Sequence, residues 1–162
     1  MDKLKRNIYR YGTLLGIGAG RATFKWQNKA WKVPYNREGV LATQFEQVVF
    51  NYIVEYRPWL RDIFPNPTFL GNIIQSDVAE PIFHDILHKF DTTHLLEFFA
   101  MRDIEVDMEE ILYTKNNLGV SGNKVKVLDW GMALTPHDIG LRRNSSLADF
   151  NKTVRRCRHG LD

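Results

Sequence analysis

The chain has 162 residues, of which 44% are apolar, 12% aromatic and 25% charged, and its formal net charge is +3. That length and apolar content suit one good core or two small ones and exclude a chain disordered in bulk. A single cysteine, Cys157, excludes an intramolecular disulfide and fits a reducing cytoplasm, and no apolar run approaches membrane-spanning length, so a soluble cytoplasmic protein with no membrane partner is expected.

In chain order, Met1 to Arg10 is basic and lacks the apolar core of a signal peptide. Residues 1 to about 36 are expected to form strands. Within them, Leu15-Gly16-Ile17-Gly18-Ala19-Gly20-Arg21-Ala22-Thr23-Phe24 sets three glycines at alternate positions between apolar runs. Glycine lets backbone N–H groups approach phosphate oxygens without Cβ interference, although a tight turn in any small sheet uses glycine as well. After a short turn at Gln27-Asn28, Lys29-Ala30-Trp31-Lys32-Val33 alternates as a strand does and presents Lys32 on the face opposite Trp31. A helix is expected over 37–57, because Val40, Leu41, Phe45, Val48, Val49, Tyr52, Ile53 and Tyr56 recur at helical spacing. Glu46 lies in that helix, and Pro58 with Pro65-Asn66-Pro67 marks the way out of it.

Thr68 to Pro81 reads as two strands with Gly71-Asn72 between them, and His84 to about Ala100 as a helix with Ile86, Leu87, Phe90, Leu95, Phe98 and Phe99 on its apolar side. A second, acidic helix is expected over Ile104 to Leu112. Asn116-Asn117-Leu118-Gly119-Val120 then leads through Ser121-Gly122-Asn123 into Lys124-Val125-Lys126-Val127-Leu128 and Asp129-Trp130-Gly131, a hairpin that ends on a carboxylate. Leu147 to about His159 is amphipathic, and Ser146-Leu147-Ala148-Asp149 has the form of a capping box. Arg142-Arg143-Asn144-Ser145 serves equally as a phosphoacceptor sequence or a polar helix entry. Without repeats or low-complexity tracts, a single domain over 1–162 is expected.

In these ordered parts the chain resembles the protein kinase-like superfamily, in the compact form found among small-molecule kinases and bacteriophage-encoded kinases. The resemblance implies an α+β fold, with an antiparallel-sheet N-lobe carrying one helix over 1–81 and a truncated helical C-lobe over 82–162. It implies ATP and Mg²⁺ as cofactors. Gly16, Gly18 and Gly20 look like the phosphate-covering loop, Lys32 like the lysine on the α- and β-phosphates, and Glu46 like its helix partner. Glu80-Pro81 is similar to the hinge whose backbone faces adenine. Asp129-Trp130-Gly131 resembles the D-F-G metal motif, and Asn117 resembles the second metal ligand. The set is chemically coherent, since a triphosphate needs backbone donors, a cation and oxygen-ligated Mg²⁺.

The catalytic loop departs from that family. The carboxylate it places five residues before the asparagine is replaced here by Leu112, in Leu112-Tyr113-Thr114-Lys115-Asn116-Asn117, and leucine cannot orient or deprotonate a hydroxyl. Glu109 and Glu110 lie just upstream, and Met101-Arg102-Asp103 echoes H-R-D. Two classes therefore stand: a divergent phosphoryl or nucleotidyl transferase, or a non-catalytic pseudokinase that engages or inhibits a host protein, as a phage-type origin would suggest. Residues 76–110 carry ten acidic and two basic side chains, and residues 141–162 six basic and two acidic. Such asymmetry steers a protein partner or a second copy, while no basic–aromatic interleaving argues for nucleic acid. A different chemistry could come from His84-Asp85-Ile86-Leu87-His88, two histidines at the helical spacing of H-E-x-x-H zinc proteases, with His94 or a later carboxylate as third ligand. There Asp85 is a methylene shorter than the general base that motif uses.

Overall fold

A computed structural model describes residues 3–101, 108–114 and 116–130. It is a mixed α+β structure with antiparallel sheets and several helices. Its contacts divide the chain into two units: residues 1–44, 68–77 and 134–162 in the first, and residues 45–67 and 78–133 in the second. The amphipathic segment from Leu147, the Arg142–Ser145 sequence, Asp103, Cys157 and Gly131 lie outside the described residues.

The first unit is built on a five-stranded antiparallel sheet in the order β1-β2-β3-β5-β4. Its strands are β1 (Thr13–Ile17), β2 (Arg21–Trp26), β3 (Lys29–Pro34), β4 (Thr68–Leu70) and β5 (Ile73–Asp77). The β2–β3 turn takes positive φ at both Gln27 (52°) and Asn28 (59°), the backbone that twists a two-residue hairpin correctly. Phe24 pairs with Trp31 and Thr23 with Lys32, so Trp31 and Lys32 do lie on opposite faces.

Chain 3–11 corrects the expectation of strands through the N-terminal segment: Lys3–Tyr11 is a helix, α1. Ile8 and Tyr9 join Ala22, Phe24, Trp31, Val33, Tyr35 and Ile73 in a core on one face of the sheet, while Lys3, Arg6 and Arg10 stay exposed. The ring of Tyr9 meets that of Phe24 at 4.8 Å, and Lys5 donates to the Pro34 carbonyl at 2.7 Å. A nine-residue helix has little stability alone in water, so this burial is what holds it.

The helix α2 (Arg37–Tyr56) runs from the first unit into the second, whose core gathers its Val49 and Ile53 with Leu60, Ile63, Phe64, Leu95, Phe98, Leu118, Val127 and Trp130. Pro58–Ile63 forms a 3₁₀ helix. A second sheet has the order β6-β7-β8, from Glu80–Ile82, Leu118–Ser121 and Lys124–Val127. Glu80–Ile82 is therefore not a continuation of the sheet that holds β4 and β5. Pro81 sits in an edge strand, where its missing N–H costs no ladder bond in the interior of a sheet. The single helix expected over 84–100 is also corrected. His84–Lys89 is a 3₁₀ helix and Thr93–Ala100 is α3, the chain at Phe90 being extended and the Asp91 carboxylate accepting from the Thr93 N–H at 3.1 Å. A further helix, α4, covers Met108–Tyr113, and residues 104–107 of the acidic helix expected there lie outside the described residues.

Candidate functional site

In the first unit the ladder sets Gly16 opposite Thr23 and Thr23 opposite Lys32, so the first glycine and the lysine share one row across three strands, about 10 Å apart at the usual strand spacing. The register slips between Leu14 and Gly16, a bulge that bends β1 just before the turn. Lys32 is only 7% exposed. Arg21, two residues before Thr23 on β2, lies on that same face and is also buried. Its place directly after Gly20 is the signal in the sequence that sets Arg21 beside the glycine turn.

The three glycines do different things. Nothing lies within 4 Å of where a Cβ on Gly16 would stand, whereas a Cβ on Gly20 would come 2.3 Å from the Gly39 nitrogen. Gly39 is as constrained, because its own Cβ would stand 2.0 Å from the Gly20 carbonyl oxygen. The turn is thus seated against the first residues of α2, which Asn36 caps by accepting from the Gly39 N–H at 2.9 Å. The Gly18 N–H donates to the Arg21 carbonyl at 2.8 Å and closes the hairpin.

In the second unit Glu46 is 1% exposed on α2. Asn117 and Asp129 lie at the same end of the small sheet: the Leu128 N–H donates to the Asn117 carbonyl at 2.7 Å, placing Asn117 across from the residue that precedes Asp129. Asn117 is buried, and its N–H donates to the Thr114 carbonyl at 3.2 Å. Beyond Asp129, Trp130 is 1% exposed, stacked on Phe64 at 4.5 Å and edge-on to Phe98 at 4.8 Å. That aromatic anchor fixes the chain immediately after the candidate metal ligand. Glu80 lies opposite Val120, toward the other end of the sheet from Asn117.

Leu112 packs against the apolar core of this unit, and Glu109 is exposed on α4. The His84–His88 pair does not form an α-helical metal face, because successive residues of a 3₁₀ helix turn by about 120°, which carries residues four apart to different sides. His84 sets its ring against Tyr113 at 4.7 Å and His88 pairs its Nδ1 with the Asp85 carbonyl at 3.1 Å. Among the described residues no group of three or more His, Cys, Asp or Glu side chains is disposed to hold a metal ion. No described helix is long and apolar enough to cross a membrane.

Compared with known proteins, the chain matches no family model, no curated protein and no solved structure.

Proposed function

We propose that the chain is a kinase-like protein that binds ATP with Mg²⁺ and acts as a divergent phosphoryl or nucleotidyl transferase with a degenerate catalytic loop. The observation that carries this reading is the order of its parts. A glycine turn joins β1 to β2, a buried lysine sits on β3, and a helix with a buried glutamate precedes the two strands that complete the sheet. A hairpin preceded by Asn117 then ends on Asp129. In this reading Gly16, Gly18 and Gly20 cover the phosphates, Lys32 neutralises them with Glu46 orienting it, and Asn117 and Asp129 hold the metal. Asn117 and Asp129 would be the oxygen ligands for such an ion, whose charge would offset that of the phosphates.

Burial of Lys32 and Glu46 supports the assignment, since a charge withdrawn from water costs free energy unless it is compensated. Leu112 favours a second reading, a nucleotide-binding pseudokinase that engages another protein, because an apolar side chain packed against the core cannot act as a catalytic base. Incubation with ATP labelled at the γ- or the α-phosphate separates the two. Label from the γ position on protein marks a phosphoryl transferase, label from the α position a nucleotidyl transferase, and binding without either the pseudokinase.

A further inference from the structure

The segment that follows β3 holds the glycine turn by its carbonyls. Three consecutive carbonyls accept from two residues: Gly18 from the Tyr35 hydroxyl at 2.5 Å, Ala19 from the Asn36 side-chain amide at 3.2 Å, and Gly20 from the Tyr35 N–H at 3.0 Å. In a trans peptide the C=O and the N–H point to opposite sides. With the Gly18 and Ala19 carbonyls turned toward residues 35–36, the N–H groups of Ala19 and Gly20 are turned away from them. Neither of those two N–H groups has a hydrogen-bond partner among the described residues. The Gly20–Gly39 contact holds the turn down at a further point.

We propose that Tyr35 and Asn36 are positioning residues that latch the Gly18-Ala19-Gly20 turn, so that the Ala19 and Gly20 amides form a preset receptor for a triphosphate instead of a mobile flap. The inference rests on the nucleotide-binding reading and deepens it by naming what holds the phosphate-facing backbone in place. Two successive N–H groups on one side of a turn make an anion-binding concavity, and holding them beforehand removes the ordering cost from the binding step. Arg21 and Lys32, the buried cations of the neighbouring strands, supply charge of the matching sign.

Two variants isolate the latch. Tyr35→Phe keeps the buried ring and removes only the hydroxyl donor. Asn36→Asp keeps the oxygen that caps α2 and removes the donor to Ala19. The measurements are ¹⁵N order parameters of residues 18–20 and equilibrium affinities for ATP, inorganic tripolyphosphate and adenosine. Wild type should show a rigid turn, with order parameters of about 0.85, and each variant should lower them toward about 0.6. Each variant should weaken ATP and tripolyphosphate about five- to tenfold while adenosine binds as before. Unchanged order parameters together with unchanged ATP affinity would overturn the latch while leaving nucleotide binding intact. Equal losses for ATP and adenosine would show that Tyr35 and Asn36 serve the fold alone, overturning their positioning role. A wild type that binds neither ATP nor tripolyphosphate overturns the nucleotide reading and the receptor role with it, and the order parameters still decide whether the turn is latched.

Discussion

Gly16 and Gly20 look alike in the sequence and differ in what surrounds them. A methyl group on Gly20 would collide with the backbone of α2, while one on Gly16 would meet open space. Gly20→Ala should therefore destabilise the protein by about 1–3 kcal/mol, as overpacking does. Gly16→Ala should leave the melting temperature within about 2 °C and weaken ATP binding, because the new methyl would stand in the row that leads to Lys32. Thermal melts and equilibrium binding on the two variants check both statements. Trp130 was legible as the middle of a D-F-G-like triplet, but not as the anchor against Phe64 and Phe98, since those partners lie 66 and 32 residues away in sequence. Truncation to alanine there should cost about 3–5 kcal/mol.

Among the elements, the β2–β3 and β7–β8 hairpins and α2 were legible because each carries a local signal: turn residues at Gln27-Asn28 and Ser121-Gly122-Asn123, and a helical apolar period from Val40. The helix α1 was not, because its basic composition conceals that only Ile8 and Tyr9 are buried, and its stability comes from the sheet beneath it. Nor could the second sheet be read, since β6 pairs with β7 across a sequence gap that no local pattern spans. At the β2–β3 turn, Asn28→Gly should stabilise by about 0.5 kcal/mol, because glycine takes the positive φ without a Cβ penalty; chemical denaturation measures it.

The β8 strand is tied to the 3₁₀ helix at Pro58–Ile63 by a pH-sensitive pair. Lys124 donates to the Asp62 carboxylate at 2.5 Å, and Lys126 donates to the Asp62 carbonyl. The hydrogen bond from Lys124 holds the Asp62 carboxyl below the usual aspartate range, and the Thr93 N–H does the same for Asp91. A lowered folded-state pKa gives stability that is present above the unfolded value of 3.8 and is lost as pH falls through the folded value. Asp62→Asn should thus lower the melting temperature by no more than about 3 °C at neutral pH, since the pair is half exposed, and the difference from wild type should shrink as pH falls below 3.8. A difference that persists in acid would show that the carboxylate's charge plays no part.

Across the whole molecule, the described residues of the first unit carry nine basic side chains against two acidic, Glu38 and Asp77. Such a surplus raises the local concentration of anions and weakens as salt screens it. The most direct measurement is the melting temperature with and without Mg-ATP, in wild type, Lys32→Ala and Asp129→Asn. A ligand that binds only the folded state at a hundred times its dissociation constant stabilises by about 2.7 kcal/mol, which at this size raises the melting temperature by about 5–10 °C. The account predicts that rise in wild type, most of it lost in each variant. A wild type unmoved by millimolar Mg-ATP, or a rise of equal size in all three proteins, would contradict it.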